Sequence, residues 1–197
     1  MKRNNVFRKP LLVICIVIIF SSCGTMGEAT RTDIKTGHFP TNRTATLVRS
    51  KWVNKDTLKK LLVVPNLDFW YTMGQNLNYF EEVMTYSDFQ KNIIAKGLGD
   101  SIPSISDQIG LNRAYKFYRP FVVLSALITK ENSIGKEFRL TLYDPSKVET
   151  IFENKIWVNN LWLRFTDQNT FFPLCNSLLD YLRAQDNLSH KDEPYLY

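Results

Sequence analysis

The sequence predicts an α+β domain, in which a mixed sheet of four or five strands carries about three helices packed mainly on one face. Three observations lead to this fold class. Residues 61–64 (LLVV) and 121–128 (FVVLSALI) are apolar almost without interruption, which is typical of strands buried on both faces. Residues 138–143 alternate apolar and polar side chains before a turn at residues 144–146, which indicates a hairpin. Segments with helical spacing of apolar residues separate and follow these strands.

The elements of the first half follow from local signals. The strand at residues 61–64 leads into an aromatic stretch that is typical of a loop. Residues 79–84 fit either a strand or a helical turn, because their periodicity does not distinguish the two. A helix is expected to begin at Ser87, where the sequence resembles a capping box, and to end at Gly97. A second helix is expected over residues 109–118, before Pro120.

The second half contains the strongest strand signals. Residues 121–128 are the expected central strand of the sheet, and the hairpin returns along residues 148–158. The closing helix is expected to begin near Pro173, which is tolerated in a first helical turn, and to bury a stripe that includes Leu174, Cys175 and Leu178.

The N-terminus has the three parts of an export signal. Four basic residues and no acidic ones precede an apolar run at residues 10–20, and Ser21, Ser22, Cys23 and Gly24 follow it. The run has eleven residues, whereas a helix needs about 20 to cross a membrane. A thiol after two small residues resembles a bacterial lipobox, although Phe20 departs from the usual Leu, Val or Ala three positions before the cysteine. The alternatives are an uncleaved apolar N-terminus or an ordinary secretory signal in which Cys23 has no role.

The lipobox resemblance implies that Cys23 is acylated, with palmitate among its lipids, and that the chain is cut just before it. Since Gly24 rather than Asp follows, the resemblance also implies the outer membrane. We therefore expect a signal peptide over residues 1–22, the lipidated cysteine and a polar, basic tether over 23–59, one α+β domain over 60–185, and a polar tail over 186–197. A short strand within residues 44–48 is possible in the tether.

Charge and reactive residues exclude several classes of function. The net charge of +6 falls to +2 without the first 22 residues, so the basic balance does not indicate nucleic-acid binding. The two histidines, His38 and His190, lie outside the expected domain, which excludes a His-based triad or zinc site there. Cys175 falls on the apolar stripe of its helix, as a buried thiol would. We expect no cofactor, no metal and no enzymatic activity.

Two candidate sites remain in the expected domain. Asp68 precedes Phe69, Trp70 and Tyr71, an aromatic platform that could stack on a sugar ring, although packing in the core is the simpler interpretation. A basic face that alternates with aromatic residues could contact a partner or simply cover its helix, and it consists of Arg113, Lys116 and Arg119.

Two tripeptides resemble the Asp-[Ser/Thr]-apolar sequon of a bacterial O-glycosylation system for exported proteins. They place the candidate hydroxyls at Thr57 and Ser101. A match of three residues arises easily by chance.

The strands LLVVPNL and FVVLSAL, the hairpin FRLTLYDPSKVETIFENKIWV and the helix segment NSLLDYLR together are similar to the N-terminal domain of TolB. Penicillin-binding-protein activator and transport-auxiliary lipoproteins share that domain. The resemblance implies a nonenzymatic accessory subunit that binds a protein partner in an envelope assembly for secretion, transport or cell-wall synthesis. The alternative is a periplasmic or surface lipoprotein that binds a small ligand or glycan through Phe69, Trp70 and Tyr71, and a hydrolase is a more distant possibility.

Overall fold

A six-stranded mixed sheet organises the computed structural model, which describes residues 32–64, 67–159 and 166–189, with side chains to residue 187. The predicted signal peptide, Cys23 and residues 190–197 lie outside this range. The strand order is β1-β6-β5-β4-β2-β3, with β1 at Thr46–Ser50, β2 at Lys60–Val64, β3 at Glu82–Thr85, β4 at Val122–Glu131, β5 at Gly135–Asp144 and β6 at Glu149–Asn159. The predicted α+β class is confirmed, with six strands in place of four or five.

The parallel half of the sheet consists of β2 between β3 and β4. Leu61 and Val63 project into one core cluster, whereas Leu62 projects into a second cluster on the opposite side of the sheet. All three are at most 1% exposed. The prediction of a strand buried on both faces is therefore confirmed for β2, as expected of a parallel strand with cover on each side.

The antiparallel half is a meander of β4, β5 and β6, with β1 paired to the outer edge of β6. The predicted hairpin is confirmed, since Phe138 pairs with Ile156 and Leu140 with Asn154. Strand β4 joins the antiparallel half to the parallel half, so its predicted central position is also confirmed. Leu140 and Leu142 face the first core cluster, which leaves the alternate side chains of β5 on the other face.

Four α-helices of the described residues cover both faces of the sheet. Helices α1 (Asp68–Asn76) and α4 (Asp167–Ser189) pack on what we term the first face, and α2 (Tyr86–Ala95) and α3 (Gln108–Phe117) pack on the second face. The sequence predicted about three helices mainly on one face. The difference arises because β2 and the start of β4 are apolar on both sides, and both sides must be covered to bury them.

Helix α1 occupies the aromatic stretch for which a loop was predicted. Gly74, which suggested a turn, instead allows close packing of this helix on the sheet. A Cβ atom at this position would lie 3.0 Å from Leu61 Cδ2 and 3.1 Å from Val83 Cγ1. The glycine therefore serves a helix–strand contact, and tertiary packing overrides its low helix propensity.

Helix α4 begins six residues before the predicted start at Pro173, so that this proline lies within the helix. A proline has no N–H, so the Asn169 carbonyl, four residues earlier, loses its helical donor. The Arg43 guanidinium takes that place, because Nη1 donates to the Asn169 carbonyl at 2.6 Å and Nη2 donates to the Trp157 carbonyl at 2.8 Å. Burial lowers the pKa of Arg43.

Residues 38–59, predicted as part of a tether, are packed on the domain. Phe39 is 2% exposed and stacks on Phe172 with 5.0 Å between ring centroids. The Asn176 side chain accepts from the Phe39 N–H at 2.8 Å and donates to its carbonyl at 2.9 Å. Strand β1 then pairs with β6. The folded region thus begins before Lys60, because a few buried apolar side chains and long-range hydrogen bonds hold a segment of polar composition. At the other end, α4 continues past residue 185.

Candidate functional site

An exposed face of helix α3 combines large apolar side chains with basic ones. Residues at i, i+4, i+7 and i+8 lie on one side of a helix. In α3 these positions are Ile109, Arg113, Lys116 and Phe117, which we term the α3 face. Ile109 is 67% exposed and Phe117 is 61% exposed, and both basic residues are exposed as well. Within the described residues neither basic side chain forms an ion pair.

The inner side of α3 fixes the helix firmly on the domain. The Asp107 carboxylate caps the helix by accepting from the Gly110 N–H at 2.7 Å. Gly110 must lack a side chain, because a Cβ atom there would lie 1.9 Å from the Ser104 carbonyl oxygen. The Asn112 amide donates to the Pro145 carbonyl at 2.6 Å. These contacts hold the α3 face in a defined orientation, as a recognition surface requires.

The structure brings together two of the three basic residues predicted for this surface and separates the third. Arg119 lies beyond the end of α3, and its guanidinium forms a two-point ion pair with Glu82 at 2.8 and 2.9 Å. It also lies 4.9 Å from the centre of the Tyr118 ring. Arg119 thus links the segment after α3 to β3, and its charge is compensated.

The aromatic residues of the predicted platform lie in the first turn of α1, but their rings do not share one environment. Trp70 is 5% exposed and packs edge-on against Phe171, and Phe69 packs on the same ring with 5.0 Å between centroids. The Tyr71 hydroxyl accepts from the Gln75 amide at 2.9 Å, and Asp68 is exposed. Successive helical residues point about 100° apart, so these rings do not form one exposed surface.

Trp70 nevertheless contributes to an apolar cleft of about 160 Å³ on the first face, between α1, α4 and the outer parts of β4 and β5. Its described lining includes Ala126, Phe138 and Phe171, and the one charged residue among the lining residues, Arg139, directs its side chain into ion pairs on the second face. Arg139 is engaged by Glu137 at 3.2 Å and Glu153 at 2.5 Å. The cleft therefore offers apolar surface without the converging polar groups that orient a specific ligand.

The two candidate glycosylation hydroxyls differ in their surroundings. The Thr57 hydroxyl lies in a one-turn 3₁₀ helix, Lys55–Leu58, and donates to the Asn54 carbonyl at 2.7 Å. Ser101 is exposed in a turn between α2 and α3. Of the two, Ser101 has the geometry that a modifying enzyme could reach.

The reactive side chains of the described residues are engaged or buried. Cys175 is 1% exposed in the core, and burial raises the pKa of its thiol, which disfavours the nucleophilic thiolate. His38 Nε2 lies 2.8 Å from Asp180 Oδ1 of α4. In the part of the chain that the structure describes, no group of three or more His, Cys, Asp or Glu side chains could hold a metal ion.

A network of ion pairs on the second face was not anticipated from the sequence. Glu137 accepts from the Thr129 hydroxyl at 2.8 Å and pairs with Arg139 at 3.2 Å and Lys155 at 3.3 Å. Burial acts to raise the pKa of Glu137, but these hydrogen bonds outweigh it and lower the pKa below its usual value. The alternation of charged residues along both strands of the hairpin was the available signal. The network joins β4, β5 and β6, which indicates a role in stability.

None of the helices in residues 32–64, 67–159 and 166–189 has the length and apolar character needed to span a membrane.

No protein-family model matches the sequence, and no curated protein matches it. The resemblance to the N-terminal domain of TolB therefore has no support from a family match. A solved structure of a PelC point variant from Paraburkholderia phytofirmans, a dodecamer, is similar over 72% of this chain and 98% of its own, with 9% identity and a TM-score of 0.36. Lipoprotein GNA1162 from Neisseria meningitidis is similar over 68% of this chain and 99% of its own, with 9% identity and a TM-score of 0.30. At these scores the two likenesses carry no argument about function or assembly.

Proposed function

We propose that this protein is a lipoprotein, anchored to the outer membrane through Cys23, that acts without catalysis by binding a protein partner in an envelope assembly. Secretion, transport and cell-wall synthesis are the candidate processes, and the periplasmic face and the cell surface are the candidate locations. The α3 face is the observation that carries the partner-binding part of the proposal. The basic, apolar and small-residue segments of residues 1–24 support the anchor.

The composition of the α3 face fits a protein interface. Aromatic residues and arginine are enriched at the centres of such interfaces, whereas lysine is typical of their rims. Phe117 and Ile109 would bury their exposed surface against an apolar patch of the partner. Arg113 and Lys116 would face acidic side chains, so we expect the contact surface of the partner to be apolar with acidic residues around it.

An anionic membrane surface is the competing occupant of the α3 face. Each basic residue near such a surface contributes only about 1 kcal/mol. Arg113 and Lys116 together would thus add a weak and strongly salt-dependent attraction. The α3 face, which places two large apolar residues beside two basic ones, therefore favours a protein partner. Binding to anionic vesicles is the test that distinguishes a membrane surface from a protein.

The anchor is tested by metabolic labelling with palmitate and by membrane fractionation of the full chain. Wild type should incorporate the label and sediment with membranes, and Cys23→Ser should do neither. Cys175→Ala is the matched control, because Cys175 is buried in the core and should leave labelling unchanged. Palmitate uptake by Cys23→Ser, or none by wild type, would contradict the anchor.

The partner surface is tested by photo-crosslinking in intact cells with benzoylphenylalanine at position 117. The control position is Ile134, which is 53% exposed at the β4–β5 turn. Strand β4 spans ten residues, about 33 Å at the usual rise, so the control lies at the far end of the sheet. One envelope protein should crosslink at position 117 only, and Arg113→Glu should abolish it. Equal crosslinking at both positions, or Arg113-dependent binding to anionic vesicles without any protein crosslink, would refute the proposal.

A further inference from the structure

A second cavity, of about 260 Å³, lies on the second face between α3 and strands β4 and β5. Six of the eleven residues described in its lining carry a hydroxyl group, so we term it the hydroxyl groove. Ser125, Thr141 and Tyr143 form its floor, and Tyr86 and Gln108 stand among the residues at its sides. None of its lining residues carries a formal charge. The inner side of α3 borders this groove, whereas the α3 face points outward, so the two surfaces are distinct.

The groove lies beside the point where the connections that follow β2 and β4 lead away in opposite directions along the sheet. Val64, the last residue of β2, pairs with Ser125 of β4. From this point β2 leads through α1 to β3 on one side, whereas β4 leads to β5 on the other. Neighbouring strands whose connections diverge leave a crevice at the carboxyl end of the strand, and ligands of open α/β sheets bind in such crevices.

The polar groups of the groove have unused hydrogen-bonding capacity. The Tyr143 hydroxyl oxygen is buried out of reach of a ligand, so Tyr143 lines the groove with its ring. At the side of the groove, the exposed Gln108 amide forms no hydrogen bond within the described residues, so its donors and acceptor are open to a ligand. The Ser125 and Thr141 hydroxyls lie 3.3 Å apart, a long hydrogen bond for two hydroxyls. Each hydroxyl can both donate and accept, which leaves further positions for a ligand.

We propose that the hydroxyl groove binds a neutral, polyhydroxylated ligand, namely one sugar ring of a glycan. Neutral donors and acceptors match sugar hydroxyls, and the Tyr86 and Tyr143 rings offer apolar surface to the C–H faces of the ring. A charged ligand would lose its hydration without an opposite charge in the groove to compensate. The volume is below the roughly 300–1,000 Å³ of pockets for drug-sized ligands, so the groove holds a single ring.

Binding is tested by saturation-transfer NMR on the full chain with glucose, galactose, mannose and N-acetylglucosamine, with glucuronate and glucosamine as charged counterparts. Any detergent must have a non-glycosidic headgroup, because maltoside or glucoside headgroups would compete for the groove. At least one neutral sugar should show transfer, and its charged counterparts should bind several-fold more weakly. Absence of transfer for every neutral sugar at about 10 mM, tenfold above a Kd of about 1 mM, would overturn the proposal, as would equal binding of the charged sugars.

The location is tested with Gln108→Met, which removes an exposed side-chain amide that has no partner in the described structure. Thermal stability should therefore be retained, while the affinity for the sugar should fall about fivefold, the usual effect of one neutral hydrogen bond. Thr141→Val is a second variant that keeps the β-branched shape and removes a floor hydroxyl. Tyr71→Phe in α1 is the matched control and should bind as wild type. Unchanged binding in folded forms of both groove variants, or a loss in Tyr71→Phe alone, would refute the site.

Discussion

Replacing Arg43 with methionine is expected to destabilise the fold through a helix that is distant in sequence. Methionine retains the length and apolar character of the side chain but removes its hydrogen bonds to the Asn169 and Trp157 carbonyls. The Asn169 carbonyl then loses the guanidinium as a donor, and Pro173 cannot supply the N–H that a regular helix would offer at this position. Pro173→Ala restores that N–H and allows the two contributions to be separated.

The magnitude follows from the two hydrogen bonds and their surroundings. A hydrogen bond from a charged donor contributes about 1.5–3 kcal/mol when it is well shielded. Arg43 is only half-buried, so we expect Arg43→Met to lower the free energy of unfolding by about 2–3 kcal/mol. In the Pro173→Ala background the Asn169 carbonyl keeps a donor, and the same substitution should cost about 1 kcal/mol less.

The assay is a double-mutant cycle in urea, with unfolding followed by far-UV circular dichroism and tryptophan fluorescence. Coincident transitions and an unchanged dependence on urea would justify a two-state comparison. If the two substitutions are additive within about 0.5 kcal/mol, Arg43 does not replace the missing helical donor. A cost below about 0.5 kcal/mol for Arg43→Met alone would show that this segment is not held by the guanidinium.

Three further predictions concern single positions. The folded-state pKa of Glu137 is lowered from 4.5, so its carboxylate stabilises the fold above that pH, and this contribution is lost as the pH falls through the lowered pKa. The urea midpoints of wild type and Glu137→Gln should therefore differ most at about pH 6 and converge as the pH falls below 4.5, and a difference that does not narrow would contradict the role of the carboxylate. Val148 has a φ of 58° and is 47% exposed, so Val148→Gly should relieve backbone strain and raise the free energy of unfolding by about 0.5–1 kcal/mol in urea titrations, whereas a loss would contradict the strain. The Cys175 thiol should resist an aromatic disulfide reagent until urea unfolds the chain, and rapid labelling of the native protein, located by peptide mass, would disprove its burial.

The sheet could be predicted from the sequence because its signals are local. Uninterrupted apolar runs marked β2 and β4, and strict alternation marked β5 and β6. Helix α1 could not be predicted, because Gly74 and three adjacent aromatic residues suggest a loop until Leu61 and Val83 supply a surface on which the helix packs closely.

The packed segment before β2 was missed for a different reason. Its polar composition indicated a tether, but Phe39 contacts Asn176 and Phe172, more than 130 residues later. A local sequence pattern does not indicate a contact between residues so far apart in the chain.

The candidate sites also combine features that local sequence patterns indicate with contacts that only the tertiary fold determines. Arg113 and Lys116 were identified from helical spacing, which could also have added Ile109 and Phe117. The pairing of Arg119 with Glu82, by contrast, depends on where β3 lies relative to the end of α3. The hydroxyl groove draws on separate strands, helices and loops, so its assembly depends on the tertiary fold.

The contact between the N-terminal segment and α4 limits how far the domain could lie from the proposed anchor at Cys23. Arg183 Nη1 donates to the Thr36 carbonyl at 2.6 Å, so the chain is held on the domain from this residue onward. Thirteen peptide steps separate Thr36 from Cys23, a contour length of at most about 45 Å. An anchor at Cys23 would therefore keep Thr36, where the chain joins the domain, within about 45 Å of the membrane. A partner would have to lie within reach of a domain held at that distance, either embedded in the same membrane or bound to its surface.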